Sequence, residues 1–199
     1  MTLPELGYDD WVAQQAASRL LPGCQVARVI AVDREAFLLG HQGGEVVAEL
    51  AGRLRFAAET AEDLPCVGDW VGMQSHSTGG AAVIVGILPH KTLLRRKSPG
   101  RTVQFQMIAA NLDVACVMQA CGVDFNPARL DRYLVMVRDG GIEPWIVLTK
   151  TDLVSPGELD RMMRLAAAGC GAVRVLPISN VTGSGMSEFR SLLAPGKTY

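Results

Sequence analysis

Pro144-Trp145-Ile146-Val147-Leu148-Thr149-Lys150-Thr151-Asp152 decides the fold. Its first half is a continuous apolar run, as expected of a strand covered on both faces, and its second half turns polar at once. Just after it, Ser155-Pro156-Gly157-Glu158 has the form of a capping box and predicts a helix through Ala168, ended by Gly169. Upstream, residues 112–120 (LDVACVMQA) form a second buried run. Asn126-Pro127 then supplies an N-cap and first turn for a helix with Leu130, Tyr133, Leu134 and Val137 on one side. Downstream, AVRVLPIS predicts a third strand, and a last short helix is expected over about residues 187–193. Strands alternating with helices imply a parallel sheet with right-handed crossovers, whose ligands meet the carboxyl ends of the strands.

Asp152 follows such an end. A carboxylate there can accept two parallel hydrogen bonds, which guanine offers through N1–H and its 2-amino group and adenine does not. Lys150 can lay its alkyl stem along a base plane. About thirty residues later comes Ile178-Ser179-Asn180-Val181-Thr182-Gly183. Adjacent parallel strands would bring the two loops together, with Ser179 and the N–H of Asn180 within reach of the same base, the N–H on O6. A T-K-x-D tetrapeptide alone is equally well a turn leading into the next helix.

The first ninety residues obey another period. CQVARVIAVD, AFLLG, EVVAEL, GRLRFA, DWVGMQS and AAVIVGIL read as short alternating strands parted by turn residues. With no helix long enough to cover an open sheet, a closed five-stranded OB-like barrel over residues 21–90 is expected, after an N-terminal helical segment over residues 1–20. Within GRLRFA, Arg53 and Arg55 alternate with Leu54 and Phe56, so a strand would project both arginines from one face. With Arg28 or Arg34 they would make an RNA-phosphate patch, or else a solvated strand face. Residues 91–110 form a basic linker in which Lys91, Arg95, Arg96, Lys97 and Arg101 carry five positive charges with no acid between them. Residues 1–90 hold five arginines, no lysine and eleven acids, net −6, whereas residues 91–199 are net +5. The barrel is therefore no general polyanion binder, and RNA contact needs a local patch.

Composition excludes other classes. The 199 residues are 49% hydrophobic, which suits one or two globular domains. No apolar run is long enough to span a bilayer, and the acidic N-terminus lacks the features of a secretory signal, so a cytoplasmic location is expected. The five cysteines are scattered without a C-x-x-C pair and read as small buried apolar residues, with no metal site in this chain. Trp70 and Trp145 read as core.

T149-K-T-D152 and I178-S-N-V-T-G183 resemble the fourth and fifth guanine-nucleotide motifs of GTPases, usually N-K-x-D and S-A. Taken in order with Val67-Gly68-Asp69-Trp70-Val71, Ala110-Asn111-Leu112-Asp113 and Arg129-Leu130-Asp131-Arg132-Tyr133-Leu134, they closely resemble the RsgA family of circularly permuted, ribosome-associated GTPases. The resemblance runs from about Leu21 to Tyr199. It implies a multi-domain protein: an OB barrel, a P-loop-GTPase-type domain that is only partial over residues 111–199, and a zinc-binding domain beyond them. It also implies GTP or GDP with Mg²⁺, and the small (30S) ribosomal subunit with its 16S rRNA as partner during late maturation, for a monomer with no DNA or membrane partner. Thr149, Lys150, Asp152, Ser179 and Asn180 are the implied guanine-binding residues. Two positions depart from the pattern. Thr149 replaces an Asn whose amide would contact guanine N7, and Asn180 stands where Ala is usual.

A phosphate cradle needs G-x-x-x-x-G-K-[ST] between a strand and a helix. The only approach to it is Gly196-Lys197-Thr198, where Ser191 occupies the leading position, and this reads as a decoy. No catalytic residue is expected in this chain, which by itself is expected not to hydrolyse GTP; truncation before the P-loop is the simplest explanation. The alternative is a non-catalytic RNA-binding adaptor with an OB barrel and a degenerate nucleotide fold.

Overall fold

The computed structural model describes residues 1–34, 36–75, 80–97, 105–168 and 173–199. They form two compact units, one of residues 1–112 with 195–198, the other of residues 113–194 with 199.

In the first unit, β1 (Gln25–Asp33), β2 (Ala36–His41), β3 (Gly44–Leu50), β4 (Trp70–Gln74) and β5 (Ala82–Ile87) close a barrel in the order β1-β2-β3-β5-β4. β1 is antiparallel to both β2 and β4, and the parallel pairing of β3 with β5 closes the ring, as expected for an OB barrel. Alternation fills the inside: Ala27, Val29, Phe37, Leu39, Ala48, Leu50, Val71, Met73, Ala82 and Ile84 make one buried cluster.

The outside of the β4 wall is covered as well. α1 (Asp10–Arg19), capped by Asp9 accepting from the N–H of Val12, packs Val12 and Ala16 with Trp70 and Leu88. Gly72 and Gly86 stand opposite one another across β4 and β5. Leu20, just past α1, fills the space above them, with its side chain 2.5 Å from where a Cβ on Gly72 would sit and 3.1 Å from one on Gly86.

Three expectations for this unit change. GRLRFA is not a strand but a short helix, α2 (Gly52–Ala57), between β3 and β4. In a helix, residues two apart point to different sides, so Arg53 and Arg55 do not share a face through strand alternation. Arg53 donates to the carbonyl of Val85 at 2.6 Å. Arg28 is not a surface cation: it is 7% exposed, donates to the carbonyls of Leu6, Gly68 and Asn111, and lies over the Trp70 ring. Residues 91–110 are not a simple linker. Their described part is a two-stranded antiparallel ribbon, β6 (Leu93–Lys97) with β7 (Phe105–Ala110).

The second unit is a three-stranded parallel sheet in the order β10-β9-β8, from β8 (Val114–Ala120), β9 (Glu143–Thr149) and β10 (Arg174–Pro177). β9 is central, and Trp145, Ile146, Val147 and Leu148 are all buried, as the continuous apolar run requires. α3 (Pro127–Asp139) buries Leu130, Leu134 and Val137, and Asn126 caps it by accepting from the N–H of Arg129 at 3.0 Å. α4 (Pro156–Ala168) begins with the expected capping box. Ser155 donates to the Glu158 carboxylate through its N–H (3.0 Å) and its hydroxyl (2.8 Å), and the N–H of Glu158 returns to Ser155 Oγ at 3.4 Å. Gly169, expected to end α4, lies outside the described residues, as do His76 and Cys170. α5 (Met186–Ser191) follows the last loop.

Candidate functional site

The parallel register sets two loops side by side. β9 and β10 pair from Trp145 with Arg174 to Leu148 with Pro177, so both chains leave the sheet at the same edge. Two further backbone bonds extend the pairing: Ile178 N–H to the Leu148 carbonyl (2.8 Å) and Thr151 N–H to the Ile178 carbonyl (3.3 Å). Between them Lys150 takes a left-handed conformation with φ +57°, which turns the chain sharply into a 3-10 turn at Thr151–Leu153. That reversal brings the Asp152 side chain back toward the second loop.

Ser179 receives it. Its hydroxyl donates to Asp152 Oδ1, while its oxygen accepts from the N–H groups of Val181 and Thr182, each at 3.2 Å. One proton given and two lone pairs filled is the whole capacity of a hydroxyl. Ser179 is 0% exposed and Asp152 is exposed, so a buried serine holds one carboxylate oxygen of an acid that stands at the surface. Ser179 was expected within reach of the base; in the structure its hydroxyl proton goes to Asp152 and its oxygen is filled by two backbone N–H groups.

The second loop is closed on itself. Ser179 N–H donates to the Ser184 carbonyl and Gly183 N–H to the Ser179 carbonyl, both at 2.9 Å. Gly185, with φ +71°, has the Pro177 carbonyl oxygen 2.0 Å from where its Cβ would be, so only glycine fits at the return of this loop. Asn180 is exposed at the loop's tip, and its N–H has no partner among the described residues. Thr149 is half-buried, its hydroxyl donating to the Gln119 carbonyl at 3.3 Å. Thus four expected residues, Lys150, Asp152, Ser179 and Asn180, meet at one edge, and Thr149 stands beside them but turns toward β8. A participant that spacing did not reveal is Gln119. It is 4% exposed, and its side chain clamps Asn126 by donating to its carbonyl (3.1 Å) and accepting from its N–H (3.0 Å). A glutamine amid an apolar strand run was the available signal.

The basic residues lie in the first unit. Arg95 stacks over the Phe105 ring (4.3 Å) and pairs with Glu62 (3.1 Å), Arg96 makes two bonds to the Gln106 carboxamide, and Lys91 pairs with Asp9. Arg96 and Lys97 are exposed, and Arg101 lies outside the described residues. The same unit holds a buried acid, Asp69, 3% exposed, with Oδ2 accepting from the N–H of Cys66 and Oδ1 lying 3.8 Å from His90 Nδ1. Burial pushes its carboxyl above the usual range.

Among the described residues no group of three histidines, cysteines or acids could hold a metal ion, and no helix is long and apolar enough to cross a membrane.

Solved structures of the same fold include YjeQ from Thermotoga maritima, with TM-score 0.67 and 21% identity over 85% of this chain and 57% of that one. Another is YloQ, described as a circularly permuted GTPase, with TM-score 0.58 and 21% identity over 87% and 57%. A "Small ribosomal subunit biogenesis GTPase RsgA" of Syntrophotalea carbinolica is 38% identical over 86% of this chain and 48% of its own length. The protein of that name in Opitutus terrae is 32% identical over 100% and 56%. The chain thus spans about half the length of the curated relatives it matches. The family model described as RsgA GTPase matches residues 87–199, more than half of the chain and all of the site just described, and the chain belongs to the RsgA GTPase family.

Proposed function

We propose that the chain is the barrel and guanine-recognising part of a GTPase that acts in the cytoplasm on the maturing small ribosomal subunit. The observation that carries this reading is the Ser179–Asp152 bond, which aims a carboxylate outward from the edge where two parallel strands end. Asp152 takes guanine N1–H and the 2-amino group, Lys150 lies along the base plane, and the Asn180 N–H meets O6. The 199 residues contain no phosphate cradle, so by themselves they bind the base and do not turn over GTP. Mg²⁺ and zinc, implied by the resemblance, have no fitting ligand group among the described residues, and no step here passes through either. The test is a titration of the ¹⁵N-labelled chain. GDP is expected to shift the amide resonances of residues 149–153 and 179–184 and ADP to leave them in place; equal shifts with both would remove guanine recognition.

RNA contact is assigned to the basic ribbon rather than to the barrel wall, since Arg96 and Lys97 are exposed on β6 and the net charge of residues 91–199 is +5. Arg53 and Arg55 on α2 add to it as separate phosphate contacts. Arg96→Glu with Lys97→Glu is expected to weaken co-sedimentation with small subunits about tenfold and to flatten its salt dependence. Binding indifferent to that double change would return the ribbon's charges to simple solvation.

A further inference from the structure

α2 joins β3 to β4 and rests on the barrel through Leu54, which packs against the buried cluster. Phe56, two residues on, is carried about 200° round the helix and stands 93% exposed. Among the described residues the next most exposed aromatic is Tyr133, at 45%, so Phe56 alone holds a whole ring out in solvent and adds almost nothing to the fold. Helical side chains lean toward the N-terminus, so the ring shares its face with Gly52 and Arg53, one turn back. A Cβ on Gly52 would meet nothing within 4 Å, which leaves that side of the helix bare. Arg53 is steadied there by its bond to the Val85 carbonyl at 2.6 Å, Arg55 is exposed, and α2 contains no acid.

A bare aromatic ring between arginines suits one kind of ligand. Every base has a flat apolar face that stacks on such a ring whatever its sequence, while guanidinium groups take the phosphates beside it. A protein partner would need a wider apolar surface, and within α2 no other large apolar side chain is exposed. A duplex keeps its base faces inside the stack, so the ligand is an unpaired nucleotide. Resting on the RNA reading above, we propose that Phe56 is a stacking platform for one unpaired base of RNA, with Arg53 and Arg55 on the flanking phosphates. α2 thus adds a preference for single strands that the basic ribbon, acting through charge, does not supply.

The test is fluorescence anisotropy of the 199-residue chain with a labelled, unstructured single-stranded RNA and with the same sequence as a duplex, each over a range of salt. Phe56→Ala is expected to weaken single-strand binding about tenfold, and to leave duplex binding unchanged. The slope of affinity against salt should also stay as it was, since no charge is removed. Phe56→Trp is expected to restore the single-strand affinity and Phe56→Leu to fail, because leucine keeps the bulk and loses the ring face. Single-strand binding by Phe56→Ala within about twofold of the unaltered chain, while Arg96→Glu with Lys97→Glu still weakens it, overturns the platform and keeps the RNA reading. Full rescue by Phe56→Leu also overturns it, since the contact is then a generic apolar one of the kind a protein partner makes. An unaltered chain that binds neither RNA takes down the RNA reading and this proposal together.

Discussion

Asp152→Asn is expected to weaken GDP binding about a hundredfold and to let xanthosine diphosphate bind in its place. In the guanine reading proposed above the carboxylate accepts from two donors of the base, and hydrogen bonds to a charged group contribute about 1.5–3 kcal/mol each. An asparagine keeps one acceptor and turns the other into a donor. Ser179 decides which is which: its hydroxyl already points at Oδ1, so the amide oxygen stays there and the NH₂ group faces the base. That NH₂ meets the 2-amino group of guanine donor to donor, whereas xanthine has an oxygen at the same position. Amide shifts titrated with both nucleotides measure the exchange. GDP affinity unmoved by Asp152→Asn would take Asp152 out of the site.

Gly68→Ala is expected to destabilise the barrel unit by roughly 3 kcal/mol, combining backbone strain with a collision. Gly68 has φ +92°, and a Cβ there would lie 2.0 Å from the Ala110 carbonyl oxygen. Neither side can give way easily. Gly68 N–H donates to the Val29 carbonyl (2.8 Å), its own carbonyl accepts from Arg28 Nε (3.1 Å) and Asn111 Nδ2 (3.0 Å), and Ala110 N–H is held by the Val67 carbonyl (2.8 Å). Gly23→Ala is the control, since it shares a positive φ of +86° but meets nothing within 4 Å. It should lose only about 1 kcal/mol. Urea unfolding of both variants separates the two contributions, and equal losses would refute the collision.

Periodicity made most of this architecture legible. In each barrel strand alternate residues face the inside, even where α1 covers the outer face of β4 as well, and β9 reads as continuous because both its faces are covered. GRLRFA misled for a physical reason. Six residues make less than two helical turns, too few for the 3.6 period to declare itself, and Leu54 packs on the barrel core while Phe56 is 93% exposed. Charge hid the β6–β7 ribbon, since Arg95 packs by its guanidinium face on Phe105. Arg28 was illegible because its partners are main-chain carbonyls from Leu6 and Asn111, far apart in the chain. In the second unit Asp152 and Ser179 were readable as neighbours from strand spacing alone. That the serine hydroxyl grips the acid, and that Thr149 faces Gln119, needed coordinates, because a hydroxyl's direction leaves no trace in spacing.

The vacancy shared by Gly72 and Gly86, filled by Leu20, ties three distant positions into one unit of inheritance. A methyl group gained at 72 would wedge the first helix away from Trp70 unless position 20 had already shrunk. Lineages of this barrel should therefore swap bulk between the wall and the helix end in step, and grafting the barrel without its first twenty residues would bare an oily seam.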